Sequence, residues 1–164
     1  MTYAENTSVP ADRSRAEIER TLMRYGAKQF MYGVNESDAV IAFVIMLDSD
    51  GEEAIRQVRF TIPLPDRDDP AFTRTPGGRR QRSPSQMLAE YEKATRRVWR
   101  ALLLVIKAKL EAVESGISEF EQEFLAHIVL PDGKTFGEWA KPEVARAYET
   151  GMMPQLALPA GERR

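Results

Sequence analysis

The chain has 164 residues, 43% hydrophobic and 29% charged, with a formal net charge of −2. That is enough for one domain with its own core, and the near-neutral balance excludes a molecule that attracts polyanions through its overall field. There is no cysteine and a single histidine, which excludes disulfides, thiolate metal sites and thiol nucleophiles.

Residues 1–13 read as a polar arm without the apolar centre of a signal sequence. A first helix is predicted from Ser14-Arg15-Ala16-Glu17, whose serine and glutamate match a capping box. Ile18, Leu22 and Tyr25 give it one apolar face, and Gly26 is a natural stop. Three strands are predicted next. Residues 29–34 form the first, with a turn at 35–38. Residues 39–47 form the second, apolar on both faces and therefore expected to be central and covered. This run of nine residues is far shorter than the roughly 20 that a membrane-crossing helix needs. Asp48-Ser49-Asp50-Gly51 signals a turn. In the third strand Val58, Phe60, Ile62 and Leu64 alternate with Gln57, Arg59 and Thr61, and Pro63 and Pro65 mark an edge or an end.

Residues 65–83 have no periodicity and are expected to form a mobile loop, acidic first (Asp66, Asp68, Asp69) and then basic. The longest predicted helix follows. Ser83 caps it, Pro84 opens it, Gln86 completes a box and Gly116 ends it, so it spans about 48 Å at 1.5 Å per residue. Its apolar side is wide, which predicts burial against the sheet and also against a further helix or a second subunit. Ser118-Glu119-Phe120-Glu121 predicts another helix, with Phe120, Phe124, Leu125 and Ile128 on its apolar face. Thr135-Phe136-Gly137-Glu138 opens a short helical stretch that Pro142 restarts, and Gly151 stops it. Residues 152–164 read as a tail. Strands grouped together and helices grouped together predict one α+β domain over residues 14–151. It would be a three-stranded antiparallel sheet flanked by an N-terminal helix and one long helix, with a C-terminal helical segment.

Two basic features point to phosphate. Arg74, Arg79, Arg80 and Arg82 fall within ten residues that contain no acid, and arginine forks bind phosphate oxygens in pairs. On the long helix Lys93, Arg96, Arg97, Arg100 and Lys107 lie within about 100° of one another around the axis, a ridge about 20 Å long. The competing readings are a solvated linker whose arginines pair with Asp66, Asp68 and Asp69, and an ordinary wet helix face. Phe30 and Tyr32 share one strand face, which suits core packing or base stacking.

Catalytic patterns are weak. His127 stands alone, and the acids at Asp48, Asp50, Glu52 and Glu53 sit in a turn with glycine at the wrong place for a calcium loop. No catalytic residue, metal ligand or cofactor site is assigned. The sequence therefore points to a non-enzymatic cytoplasmic protein that binds DNA or RNA with little sequence preference, forms homo-oligomers and has no membrane partner. The alternatives are an oligomeric interaction module and a small metal-dependent hydrolase.

Several stretches resemble a family of phage- and prophage-encoded proteins whose members have no assigned activity. They are Ser14-Arg15-Ala16-Glu17-Ile18-Glu19, Val58-Arg59-Phe60-Thr61-Ile62-Pro63-Leu64-Pro65, Ala108-Lys109-Leu110-Glu111-Ala112-Val113-Glu114-Ser115-Gly116, and Val129-Leu130-Pro131-Asp132-Gly133-Lys134-Thr135 followed by Gly137-Glu138-Trp139. The resemblance implies a mobile-element setting and brings no active site with it. The order of three strands and a long helix is also similar to phage single-strand annealing proteins, as a fold-level analogy.

Overall fold

The computed structural model describes residue 4 and residues 7–49 and 52–152. Residues 1–3, 5 and 6 of the N-terminal arm, the tip of the turn at Asp50 and Gly51, and residues 153–164 of the tail lie outside the described residues. The elements run α1 (Ala11–Arg24), β1 (Ala27–Val34), β2 (Asp38–Ser49), β3 (Glu52–Pro63), α2 (Pro70–Thr73), α3 (Pro84–Glu114), α4 (Phe120–Phe124), a 3-10 turn (Leu125–His127) and α5 (Phe136–Thr150). The sheet is antiparallel in the order β1-β2-β3, so the α+β class and the central place of the second strand are as expected.

Period-two alternation builds one buried sheet face. Ile41 pairs with Phe60 and Phe43 with Val58, and all four are buried. Ile18 and Leu22 of α1 and Trp99, Leu103, Ile106 and Leu110 of α3 close over that face. Phe124 of α4 meets Phe43 and Phe60 edge-on, at centroid distances of 6.0 and 6.3 Å. Much of the wide apolar side of α3 is thus covered by the sheet, α1 and α4 of the same chain, while Val105 stays exposed. The other sheet face departs from expectation. Ala42 is buried there, but Met46 and Ile55 are exposed, so β2 is central without being covered on both sides.

Two predicted capping boxes are not formed. The first helix starts at Ala11, after Pro10, and the amides of Arg13 and Ser14 donate to the Pro10 carbonyl. Ser14 is therefore a buried interior residue, and Glu17 uses its carboxylate on Lys107. At Ser118 the helix is only five residues long and begins after Glu119 without a side-chain cap, while Glu121 binds Arg56 Nε at 2.7 Å. Ile128 then leaves the helical path and bridges to Val58, and the Val129 amide donates to Gln57 O at 2.8 Å, covering the outer edge of β3. The boxes at Ser83–Gln86 and Thr135–Glu138 are both present. The last helix is continuous through Pro142.

α5 is fixed near its start. Arg59 donates to Gly133 O at 2.9 Å and to Glu138 Oε2 at 2.8 Å. Gly137 lies so close to Ala126 that an added Cβ would sit 2.8 Å from its carbonyl oxygen. None of the fifteen residues of α5 is buried.

Candidate functional site

The segment expected as a featureless loop has structure of its own. Asp69 caps α2 by accepting from the Ala71 amide at 2.8 Å, with Pro70 in the first helical position. The chain then folds into a small hairpin. Arg74 bridges to Gln81, the Thr75 amide donates to Arg80 O at 2.9 Å, and the Gly78 amide returns to Thr75 O at 2.8 Å. Gly77 (φ 88°) and Gly78 (φ 70°) lie in the left-handed region, where a side chain would be strained. These two glycines make the reversal between Thr75 and Arg80 affordable. The Pro-Gly-Gly signal between Arg74 and Gln81 could have indicated this hairpin in advance.

The four loop arginines divide. Arg82 is half-buried and donates to the carbonyls of Ala71 and Phe72 at 2.6 and 3.2 Å, so it ties the hairpin to the end of α2. Arg74, Arg79 and Arg80 are exposed and line a shallow recess with Thr73, Gly78 and Gln81. Among the described residues no ion pair joins these three to a carboxylate. The neighbouring acids serve the backbone instead: Asp69 caps α2 and Asp66 accepts from the Asp68 amide at 3.0 Å. The pairing of loop arginines with loop aspartates that the competing reading supposed is therefore not observed among the described residues.

The ridge on α3 has a different environment. Glu17 of α1 accepts from Lys107 and lies 3.6 Å from Arg100. The hydrogen bond from Lys107, aided by the charges of Lys107 and Arg100, holds the Glu17 carboxyl below its ordinary value of 4.5 against the opposing effect of burial. Arg96 sits 3.9 Å from Glu92, and its buried Nε has no hydrogen-bond partner among the described residues. Arg97 also has a partner within the chain. Lys93 is half-buried with no carboxylate partner among the described residues. Sequence reasoning missed Glu17, which it had assigned to a helix cap.

Loop and ridge approach α3 from different flanks. The hairpin segment is anchored through Phe72, edge-on to Tyr91 at 6.3 Å, and Arg67, 4.8 Å above the same ring. At 100° per residue, Tyr91 projects about 170° around the axis from the middle of the ridge. The structure therefore gathers Arg74, Arg79 and Arg80 at one place, and puts Arg100 and Lys107 against α1.

Of the remaining candidates, His127 is a packing group. His127 stacks on Phe60 at 4.0 Å between ring centroids, and burial, with Lys109 nearby, lowers its pKa from 6.5. Phe30 and Tyr32 do share a face, and the Arg15 guanidinium lies over the rings of Tyr32 and Trp99, 5.1 and 5.2 Å from their centroids. Among the described residues no three histidine, aspartate or glutamate side chains converge as metal ligands. No described helix is long and apolar enough to cross a membrane. No family model matches the chain, and no curated protein or solved structure matches it either.

Proposed function

We propose that this chain is a non-enzymatic nucleic-acid-binding protein of phage type, with the 74–81 hairpin as its principal contact. The observation that carries this reading is the recess lined by Arg74, Arg79 and Arg80, whose guanidinium groups have no carboxylate partner among the described residues. Such groups gain by meeting phosphate oxygens in paired hydrogen bonds. No aromatic side chain lines the recess, so the contact is to the backbone and is tolerant of sequence. The phage and cytoplasmic setting rests on the sequence alone, and a role as an accessory to recombination or replication rests on the fold-level analogy to single-strand annealing proteins. Lys93, Arg96, Arg97, Arg100 and Lys107 belong to a secondary surface, of which Arg100 and Lys107 are engaged by Glu17 of α1.

The test is fluorescence anisotropy with labelled single- and double-stranded DNA and RNA at low salt. Arg79→Glu with Arg80→Glu should abolish binding and leave the melting temperature unchanged. Equal binding by variant and wild type removes the hairpin as the site. Arg82 is unsuitable for this purpose because its side chain supports the loop.

A second reading, a protein-interaction module, is favoured by α5, where Trp139, Val144 and Tyr148 are all exposed. It becomes the better reading if no oligonucleotide binds at low salt.

A further inference from the structure

The two edges of the sheet are treated differently. The β3 edge is covered by the Ile128 bridge and the Val129 hydrogen bond, and ends in Pro63. The β1 edge has no such cover among the described residues. Natural sheets usually blunt an open edge with charge, proline or a covering segment. Here residues 29–35 are uncharged and contain no proline, and Met31, Tyr32 and Val34 are 61%, 52% and 54% exposed.

The Asn35 amide donates to Asp38 O, and the β1–β2 register continues through Val34↔Ala39 to Gln29↔Val44. In an antiparallel ladder the inward-bonding residues alternate. Gly33, Met31 and Gln29 therefore bond to β2, and Val34, Tyr32 and Phe30 point their amides and carbonyls outward. The register shift between Ala27 and Gln29 ends the regular edge at its N-terminal side.

We propose that β1 pairs antiparallel with β1 of a second copy of this chain, about a two-fold axis through Tyr32, to give a continuous six-stranded sheet. This register uses every outward-pointing group of the regular edge. Tyr32 faces Tyr32 of the second copy, and Phe30 faces Val34 in both directions, for about six new hydrogen bonds. Aromatic and β-branched side chains make favourable cross-strand pairs. Continuing the register sets Lys28 against Glu36 of the second copy, so the charges nearest the edge attract across the interface. The arrangement closes on itself as an isologous dimer with no further open edge at that side. A single strand pair is a small interface, so dissociation falls in the micromolar range. The proposal is independent of the nucleic-acid reading.

Sedimentation of the full chain over about 5–200 μM tests it, with the dissociation range taken from the small interface. The expected result is a reversible monomer–dimer equilibrium. Val34→Pro removes an outward amide, which an edge strand tolerates, and should shift the midpoint at least tenfold while circular dichroism stays unchanged. The natural absence of cysteine gives a second readout. Tyr32→Cys places two thiols on residues whose Cα atoms are about 5.5 Å apart, within disulfide range. Lys28→Cys places them about 25 Å apart at 3.3 Å per residue. Under mild oxidation the first variant should form a covalent dimer and the second should not. A chain that stays monomeric throughout the range, or equal cross-linking of both variants, overturns the proposal.

Discussion

The salt dependence of binding counts the phosphates that are engaged, and so distinguishes the hairpin from the whole basic set. Each phosphate neutralised on a single strand contributes about −0.7 to the slope of log K against log salt. If Arg74, Arg79 and Arg80 carry the contact, the slope is about −2.1, and affinity falls about 18-fold between 50 and 200 mM salt. If all nine basic residues of loop and ridge take part, the slope is about −6.3 and the loss about 6,000-fold. Replacing Arg79 and Arg80 by alanine leaves one contact, a slope of about −0.7 and a loss of about 2.6-fold. Anisotropy with a short labelled oligonucleotide measures all three. Glu17→Gln is the matching control. It relieves Arg100 and Lys107 of their carboxylate, at a cost of at most about 1 kcal/mol for a partly exposed ion pair. The melting temperature should drop by no more than about 2–4 °C, and the salt slope should not change. A wild-type slope near −6, or a steeper slope in Glu17→Gln, refutes the assignment of the ridge to α1 packing.

Two further predictions concern stability. Gly137→Ala forces a Cβ against the Ala126 carbonyl; overpacking of about 1–3 kcal/mol is set against a gain of roughly 1 kcal/mol in helix propensity, for a net loss of up to about 2 kcal/mol. Gly33→Ala meets nothing within 4 Å and should be neutral or slightly stabilising; equal midpoints for the two variants in a urea titration would refute the close packing at Gly137. The pH profile should have two parts. His127 has a folded pKa below 6.5, so the unfolded chain binds the extra proton first, and stability is lost as pH falls from 6.5 through the folded value. His127→Phe should flatten that part. Glu17, held down mainly by Lys107, and Glu138, held down mainly by the Thr135 amide, contribute stability above pH 4.5 that is lost as pH falls through their lowered values. A melting curve that is flat from pH 8 to about 3 would contradict both parts.

The features legible in the sequence were those fixed by local chemistry. Ser83, Pro84 and Gln86 specify the start of α3 with no help from the rest of the chain, and the glycine after its last turn has the expected positive φ. The strand order also followed, because short turns leave adjacent strands little choice but to pair. Two motifs failed because their carboxylates are held by distant partners instead of the local backbone, whereas Glu138 serves both Arg59 and its cap. Glu17 fits a capping box by spacing, yet Lys107, ninety residues away, has its carboxylate. Glu121 fits another, and Arg56 has it. The basic ridge was visible as a stripe, but nothing local says that α1 will lie against it. Four loop arginines stood out by their density, but only the structure separates Arg82, held by Ala71 and Phe72, from the other three, and shows Asp66 and Asp69 accepting from backbone amides.

A helix with no fully buried side chain draws little strength from the hydrophobic core. α5 relies chiefly on its capping box, on Arg59, on the close approach of Gly137 to Ala126 and on its own backbone hydrogen bonds. A segment of fifteen residues is marginal in water by those means alone. Its far turns, around Tyr148, should therefore exchange amide protons orders of magnitude faster than its first turn. Anything that grips Trp139 and Tyr148 together would freeze a fraying rod, and would surrender part of its affinity to the entropy of doing so.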